Sequence, residues 1–446
     1  MSATGAKRSG TKLPASGSLL IRGGRVIDAN GERMVDVLIV GDTIVAVGAD
    51  LTADRTLDAG GCVVAPGLVD LHVHLRQPGR EEAETIETGA RGAALGGFTA
   101  VVAMPNTEPT MDCASVIRDV LALSRGVACD VFPSAAITVG RKGNSLTPMA
   151  ELVQLGVRIF TDDGDGVQDD RLMRRALEYS VGMAPFAGGV PITLAQHCEV
   201  KALAEGGYMH EGAWSSRLGI PGQPSEAEII MVMRDIALAR LTGARVHFQH
   251  LSCAESVALV RAAKAHGLPV TAEATPHHFC LTDACCASYD SAFKVHPPLR
   301  TDDDVAAIRI GLGDGTIDAI ATDHAPHAAH LKEQPFDQAP PGMLGLETAL
   351  ALALTELDLP IAQVLALLSW QPARIAKIGD THGGPIVAGA PANIAVIDPA
   401  VSWVVRADAM ASRSRNTPFE GRTLRGRVRH TVLHGEPVVI DGEAQR

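Results

Sequence analysis

The stretch DLHVHLRQPGR (70–80) places two histidines one strand period apart. On a β-strand, side chains i and i+2 share a face, so His72 and His74 can present two imidazoles to one metal ion. Arg76 falls at the next same-face position, and the Pro-Gly pair behind it is expected to close the strand. A second decisive piece lies some 250 residues later in ATDHAPH (321–327), where Asp323 ends another predicted strand. Two histidines ending an early strand and an aspartate ending a late one suggest a barrel metallohydrolase.

The chain between these pieces alternates strand and helix patterns. Strands are predicted at 67–74, 98–105, 130–138, 157–162, 191–197, 245–251, 268–275 and 316–323. Ala/Leu/Glu/Arg-rich helical segments intervene, among them 84–96, 169–182, 225–242 and 254–266. Such a repeat over residues 67–385 predicts an α/β fold, a (β/α)8 TIM-type barrel. Residues 18–66 instead alternate short apolar runs with turns, with hairpin signals at Gly41-Asp42 and Ala29-Asn30. That composition returns over 386–446, so both chain ends are expected to meet in one small β-sandwich domain. Residues 1–17 read as a disordered tail.

Composition narrows the function. A net charge of −12 argues against nucleic acid or an anionic membrane as partner, while leaving room for a small anionic substrate bound by a local basic cluster. No apolar run is long enough to span a bilayer and no signal-peptide core is present, so the expected location is cytoplasmic. The eight cysteines form no CxxC pair, which fits reduced thiols.

In barrels of this kind the chemistry sits at the C-terminal ends of the strands. Those ends carry His72 and His74 on the first strand, Asp163 (in FTDDG, 160–164) on the fourth and His197 (AQHCE) on the fifth. His250 (FQHLS) ends the sixth and Asp323 the eighth. Taken singly, a histidine ending a buried strand is more often a hydrogen-bonded rim residue than a ligand, and TDDG is more often a turn or helix cap. Register lifts the set, because the candidates fall at the rims of different predicted strands. Four histidines and two carboxylates suffice for two zinc-type ions with one carboxylate bridging.

The motifs APGLVDLHVHLRQPG, AMPNTEP, FTDDG, TAEATPHH, HPPLR, DGTIDAIATDHAPH and SRNTPFEG occur in this order. With them the sequence resembles the amidohydrolase superfamily, and within it the class I bacterial dihydroorotases. The resemblance runs from about residue 18 to the C-terminus. It implies that His72, His74 and Asp323 hold a first zinc ion, that His197 and His250 hold a second, and that Asp163 bridges. Related hydantoinases and many allantoinases bridge with a carboxylated lysine, but the matching segment GVRIFTDDG has none. Asp162 reads as a supporting or capping residue.

The resemblance further implies reversible cyclisation of N-carbamoyl-L-aspartate to L-dihydroorotate in de novo pyrimidine synthesis, with zinc-bound hydroxide as nucleophile and Asp323 as general acid and base. Arg76 offers a fork suited to a carboxylate. By resemblance Asn106, His327 and His74 join it at the substrate, as do Pro341 and Gly342 from a long loop expected to act as a lid. Two positions depart from the family: His296 stands where relatives carry asparagine, and Pro341 where an aromatic residue is common. His296 is expected at the substrate, where it could replace the asparagine donor, add pH sensitivity near neutrality, or shift substrate preference. A homodimer is the default assembly, and aspartate transcarbamoylase is a candidate partner. Competing readings are another cyclic amidohydrolase, disfavoured by the missing lysine, and a non-catalytic scaffold for the transcarbamoylase, disfavoured by the complete ligand set.

Overall fold

The computed structural model describes residues 17–446; the tail expectation for residues 1–16 lies outside them. Eight parallel strands make up its centre: β1 (Leu68–Val73), β2 (Phe98–Ala103), β3 (Asp130–Pro133), β4 (Ile159–Phe160), β5 (Thr193–Gln196), β6 (Val246–Phe248), β7 (Val270–Ala274) and β8 (Ala319–Ile320). Hydrogen bonding joins β3, β2 and β1 in one sheet and β4 through β8 in another. Isolated parallel bridges Ala135–Phe160 and Val73–His324 connect the two sheets at both ends. The parallel pairing therefore returns to its start.

Every residue of β1, β2 and β5 is buried, as expected of parallel strands covered by helices. The helices follow the predicted segments closely. Ile86–Leu95 is capped by Thr85, whose hydroxyl accepts from Thr88 N, and Asp170–Val181 by Asp169, whose carboxylate accepts from Leu172 N. Glu226–Thr242 and Ala254–Ala265 lie within a residue of expectation. Among the described residues no helix is long and apolar enough to cross a membrane.

Several strands stop short of the predicted ends. β3 ends at Pro133 rather than 138, β4 is only Ile159–Phe160, and β8 is only Ala319–Ile320. Beyond those points single inter-strand hydrogen bonds persist, such as Thr161 N to Ala135 O and Ala321 N to Ala274 O, but no continuous ladder. The same correction applies to Arg76: β1 ends at Val73, and Arg76 has φ 59°, so it does not continue the strand face.

Both chain ends join one seven-stranded sheet. Its order is Glu443–Ala444, Glu436–Ile440, Thr423–Leu433, Ile394–Val404, Val63–Pro66, Arg25–Asp28 and Gly31–Met34. The junction is the antiparallel pairing of Ile394–Ile397 with Pro66–Val63. A four-stranded sheet (Thr43–Gly48, Asp36–Val40, Ser18–Arg22, Arg55–Asp58) shares an apolar cluster with it, including Leu19, Ile39 and Ile44 from one sheet and Val64, Ile394 and Val432 from the other. Both anticipated hairpins are present, at Ala29-Asn30 and Gly41-Asp42. All eight cysteines are free.

Candidate active site

Six side chains from five strand ends converge on one point. His72 and His74 come from the end of β1, Asp163 follows β4, His197 follows β5, His250 follows β6 and Asp323 follows β8. Asp163 Oδ1 lies 3.2 Å from His72 Nε2, 3.5 Å from His197 Nδ1 and 3.7 Å from His250 Nε2, while its Oδ2 lies 3.5 Å from His74 Nε2. Asp323 Oδ1 is 2.9 Å from His74 Nε2 and 3.5 Å from His72 Nε2. Two groups of potential metal ligands result, His72–His74–Asp163 and Asp163–His197–His250, with Asp163 common to both.

These atoms are spaced as ligands are. A tetrahedron with arms of about 2.0–2.1 Å has edges of about 3.3 Å. His72 is completely buried and its Nε2 finds no hydrogen-bond donor or acceptor among the described residues, although it points at two carboxylates. An orphaned imidazole nitrogen in that setting has the chemistry of a metal ligand. The residues present therefore fit two zinc-type ions.

Electrostatics agree with a cation-binding role. Burial alone would raise the Asp163 carboxyl, yet His72, His197 and His250 hold it well below the usual carboxylate range. Burial likewise opposes ionisation of Asp323, and His72 and His74 overcome it. Both acids are thus kept ionised in a dry site.

The rings are aimed by partners outside the cluster. His72 Nδ1 donates to Glu273 Oε1 at 2.9 Å, His197 Nε2 to Glu199 Oε2 at 3.0 Å, and His74 Nδ1 to Asn106 Oδ1 at 2.8 Å. Each leaves the opposite nitrogen facing the centre. Asn106 Nδ2 donates to Asp163 Oδ2 at 3.2 Å, so this residue, expected at the substrate, also braces two candidate ligands. Asp162 turns away to accept from Thr138 N at 2.9 Å and from the Thr138 hydroxyl, in keeping with a supporting role.

Glu273 and Glu199 carried no role in the sequence reading. Glu273 sits inside TAEATPHH and Glu199 inside AQHCE, and an acid within or directly behind an apolar strand was the available signal. Asn416, within SRNTPFEG, was also unassigned. Its Nδ2 donates to Ala325 O at 3.0 Å and to Gly342 O at 3.1 Å, tying together the two segments around His327.

Three residues of the site hold left-handed backbone: Arg76 (φ 59°), His250 (φ 32°) and Asp323 (φ 45°). Such conformations are strained for residues with a Cβ and persist where surrounding structure imposes them. Here they swing the side chains off the strand direction toward one centre.

Beside the cluster lies a cavity of about 240 Å³ that reaches His74, Asn106, Asp163, His197, His250 and Asp323. Its far side is formed by Arg76, Arg80, His296, His327, Pro341 and Gly342. Arg76 is buried and its Nε donates to Pro326 O at 3.0 Å. His327 Nε2 donates to Pro341 O at 2.8 Å, so the 3.4 Å approach of Arg76 Nη2 to that same protonated nitrogen is a contact and no hydrogen bond. Burial and Arg76 push His327 down to about 2, which keeps it neutral. His296 Nε2 is buried without a hydrogen-bond partner among the described residues. Burial lowers its pKa, with Glu199 acting in the opposite direction.

The loop after His327 is packed over the cavity. Lys332 Nζ donates to Pro340 O at 2.9 Å and Gly342 O at 3.1 Å, and Gly342 N donates to Lys294 O at 2.8 Å. Gly342 has φ 135°, and a Cβ there would come within 2.9 Å of His327 Nε2, so only glycine fits.

Comparisons with known proteins agree with this geometry. The family model described as "Dihydro-orotase-like" matches residues 61–256. A dihydroorotase of Pelotomaculum thermopropionicum is 48% identical over 431 residues, covering 95% of this chain and 99% of that protein. A dihydroorotase of Streptomyces coelicolor is 47% identical, with 95% and 99% covered. Among solved structures, the L-hydantoinase (dihydropyrimidinase) of Arthrobacter aurescens superposes with a TM-score of 0.85 at 23% identity, covering 96% of this chain and 97% of that one, a likeness of fold. Near-complete coverage by relatives at almost half identity, together with the paired ligand groups, shows that this chain belongs to the dihydroorotase family of cyclic amide hydrolases.

Proposed function

We propose that this chain is a class I dihydroorotase that interconverts N-carbamoyl-L-aspartate and L-dihydroorotate in pyrimidine synthesis, using two zinc ions. The observation that carries the reading is the sharing of Asp163 by two ligand groups in a chain nearly half identical to named dihydroorotases. His72, His74 and Asp323 would hold one ion, His197 and His250 the other, and Asp163 both. When bound, such ions acidify a water molecule and polarise an amide carbonyl. The architecture that serves this chemistry is read as a (β/α)8 barrel over 67–385 with a β-sandwich domain from 18–66 and 386–446. The returning parallel pairing and the shared core of the two end sheets support that division.

The chain's own groups then have distinct tasks. Asp323 faces the cavity as a carboxylate and can take a proton from the attacking water at its free oxygen, then deliver it to the leaving ring nitrogen. Ring closure runs the same transfers backwards. Arg76 spends its Nε on Pro326 O, which fixes the guanidinium plane and leaves its terminal N–H groups for the substrate carboxylate. His327, neutral and locked to Pro341, ties the loop to the same wall. Pro341 and Gly342 put the loop on the cavity wall, where it would shield the reacting amide from water.

The test is ring opening of L-dihydroorotate by full-length, zinc-loaded protein, followed as loss of ultraviolet absorbance. Turnover is expected with L-dihydroorotate and not with hydantoin or allantoin. Turnover of hydantoin with none of L-dihydroorotate would overturn the assignment.

A further inference from the structure

A second cavity, of about 380 Å³, shares no lining residue with the one above. It lies where the helix Ala349–Glu356 meets the strands Ile394–Val404 and Thr423–Leu433, so the central α/β unit and the chain-end sheet both contribute to it. Its walls are graded in polarity. Leu350 and Met410 are buried and give an apolar floor, the indole of Trp403 gives one side, and Arg406 and Arg427 stand exposed at the mouth.

Three observations define what would fit. First, the indole is immobilised: Trp403 Nε1 donates to Gly426 O at 2.9 Å, and the Arg427 guanidinium stacks 5.3 Å from the ring centroid. Second, neither the Arg406 nor the Arg427 guanidinium makes a hydrogen bond or ion pair with another described residue, in a chain whose net charge is −12. Their neighbour Arg429 is engaged by both Asp58 and Asp441, which shows what an arginine on this sheet does when a carboxylate is in reach. Third, Glu347 lines the inner end, where its Oε1 accepts from Ala411 N at 2.9 Å and its second oxygen takes no hydrogen bond from a described residue.

Burial, with Glu84 nearby, pushes the Glu347 carboxyl up to about 7. Near neutral pH a large share of it is therefore protonated, and can donate to a ligand instead of repelling an anion. Donor, aromatic wall and paired cations are thus arranged along one cavity.

We propose that this cavity is a second ligand site, taking a planar aromatic anion with its acidic group on Arg406 and Arg427 and its ring along Trp403 over the Leu350–Met410 floor. The shared chemistry is an aromatic body carrying a carboxylate, sulfonate or phosphate. Charge and shape are both required, since either the arginine pair or the floor alone would be an ordinary surface feature.

The experiment titrates full-length, zinc-loaded protein with 1-anilinonaphthalene-8-sulfonate and, in parallel, with N-phenyl-1-naphthylamine, the same aromatic body without the sulfonate. One sulfonate probe per chain is expected, with energy transfer from tryptophan that falls in Trp403→Phe. Replacing both arginines by glutamine should weaken the sulfonate by about tenfold or more, the effect of losing charge-assisted hydrogen bonds. The Arg406→Lys, Arg427→Lys variant should recover much of that loss. Both arginines are exposed, so an unchanged melting curve confirms the fold of each variant. Equal binding of the neutral analogue, indifference to the glutamine substitutions, displacement by L-dihydroorotate, or no saturable binding would each overturn the proposal.

Discussion

His72 Nδ1 lies 2.9 Å from Glu273 Oε1, and neither residue has any solvent-accessible surface. Glu273 comes from β7, which supplies none of the six candidate ligands, and its other oxygen accepts from His247 Nε2 at 2.9 Å. The carboxylate thus fixes the ring that leaves Nε2 orphaned at the centre. Glu273→Gln keeps the volume but weakens that orientation. Zinc affinity is expected to fall by about 10–100-fold, the usual effect of losing a ligand's supporting hydrogen bond. Competition with a zinc chelator reads this directly, and an affinity equal to wild type would remove Glu273 from the account.

In the proposed function Asp323 is both a candidate ligand and the proton carrier, and substitution can separate the two roles. Asp323→Asn keeps an oxygen toward His74 and loses the base. The turnover number should drop by about a hundredfold or more, the typical contribution of a positioned general base, with a much smaller change in KM. A near-normal turnover number would show that another group moves the proton.

Under the proposed function, Arg76 serves the substrate and not the candidate ions. Arg76→Ala should raise KM for L-dihydroorotate by about tenfold or more, as expected for loss of a charge-assisted carboxylate contact, and leave zinc content unchanged. A variant with normal KM and lost zinc would place Arg76 in the metal site instead.

Much of this was written in the sequence and some of it was not. The spacing of His72 and His74 and the matching ends of later strands put the ligand candidates on one rim. That worked because each strand delivers its last residues to the same face. The left-handed turns at Arg76, His250 and Asp323 were not legible, since no glycine or asparagine marks them and only tertiary packing holds such backbone. The shortness of β4 and β8 was not legible either, because whether a residue keeps its ladder partner depends on the neighbouring strand and not on its own side chain. Glu273 has meaning only through the histidines it faces across the fold, and Glu199 only once the turn after β5 brings it against His197. The bracing of His74 and Asp163 by Asn106 likewise depends on a meeting of loops that spacing does not reveal.

The covering loop gives a pH-dependent prediction. Burial, with Lys294 nearby, pushes Lys332 down to about 7 from its ordinary 10.5. Between those values the unfolded chain binds a proton that the folded chain has released, so stability rises with pH across that window. Lys332→Met removes the contribution. Denaturation midpoints at pH 7 and pH 9 should therefore show a larger gain for wild type than for the variant, and equal gains would contradict the burial of this ammonium group.

The most direct test of the central claim is the zinc content of purified protein by elemental analysis, wild type against Asp163→Ala. Asp163 belongs to both ligand groups, so the account predicts about two zinc ions per chain in the wild type and loss from both sites in the variant. A variant that still carried two zinc ions per chain would contradict the bridging role on which the proposed function rests.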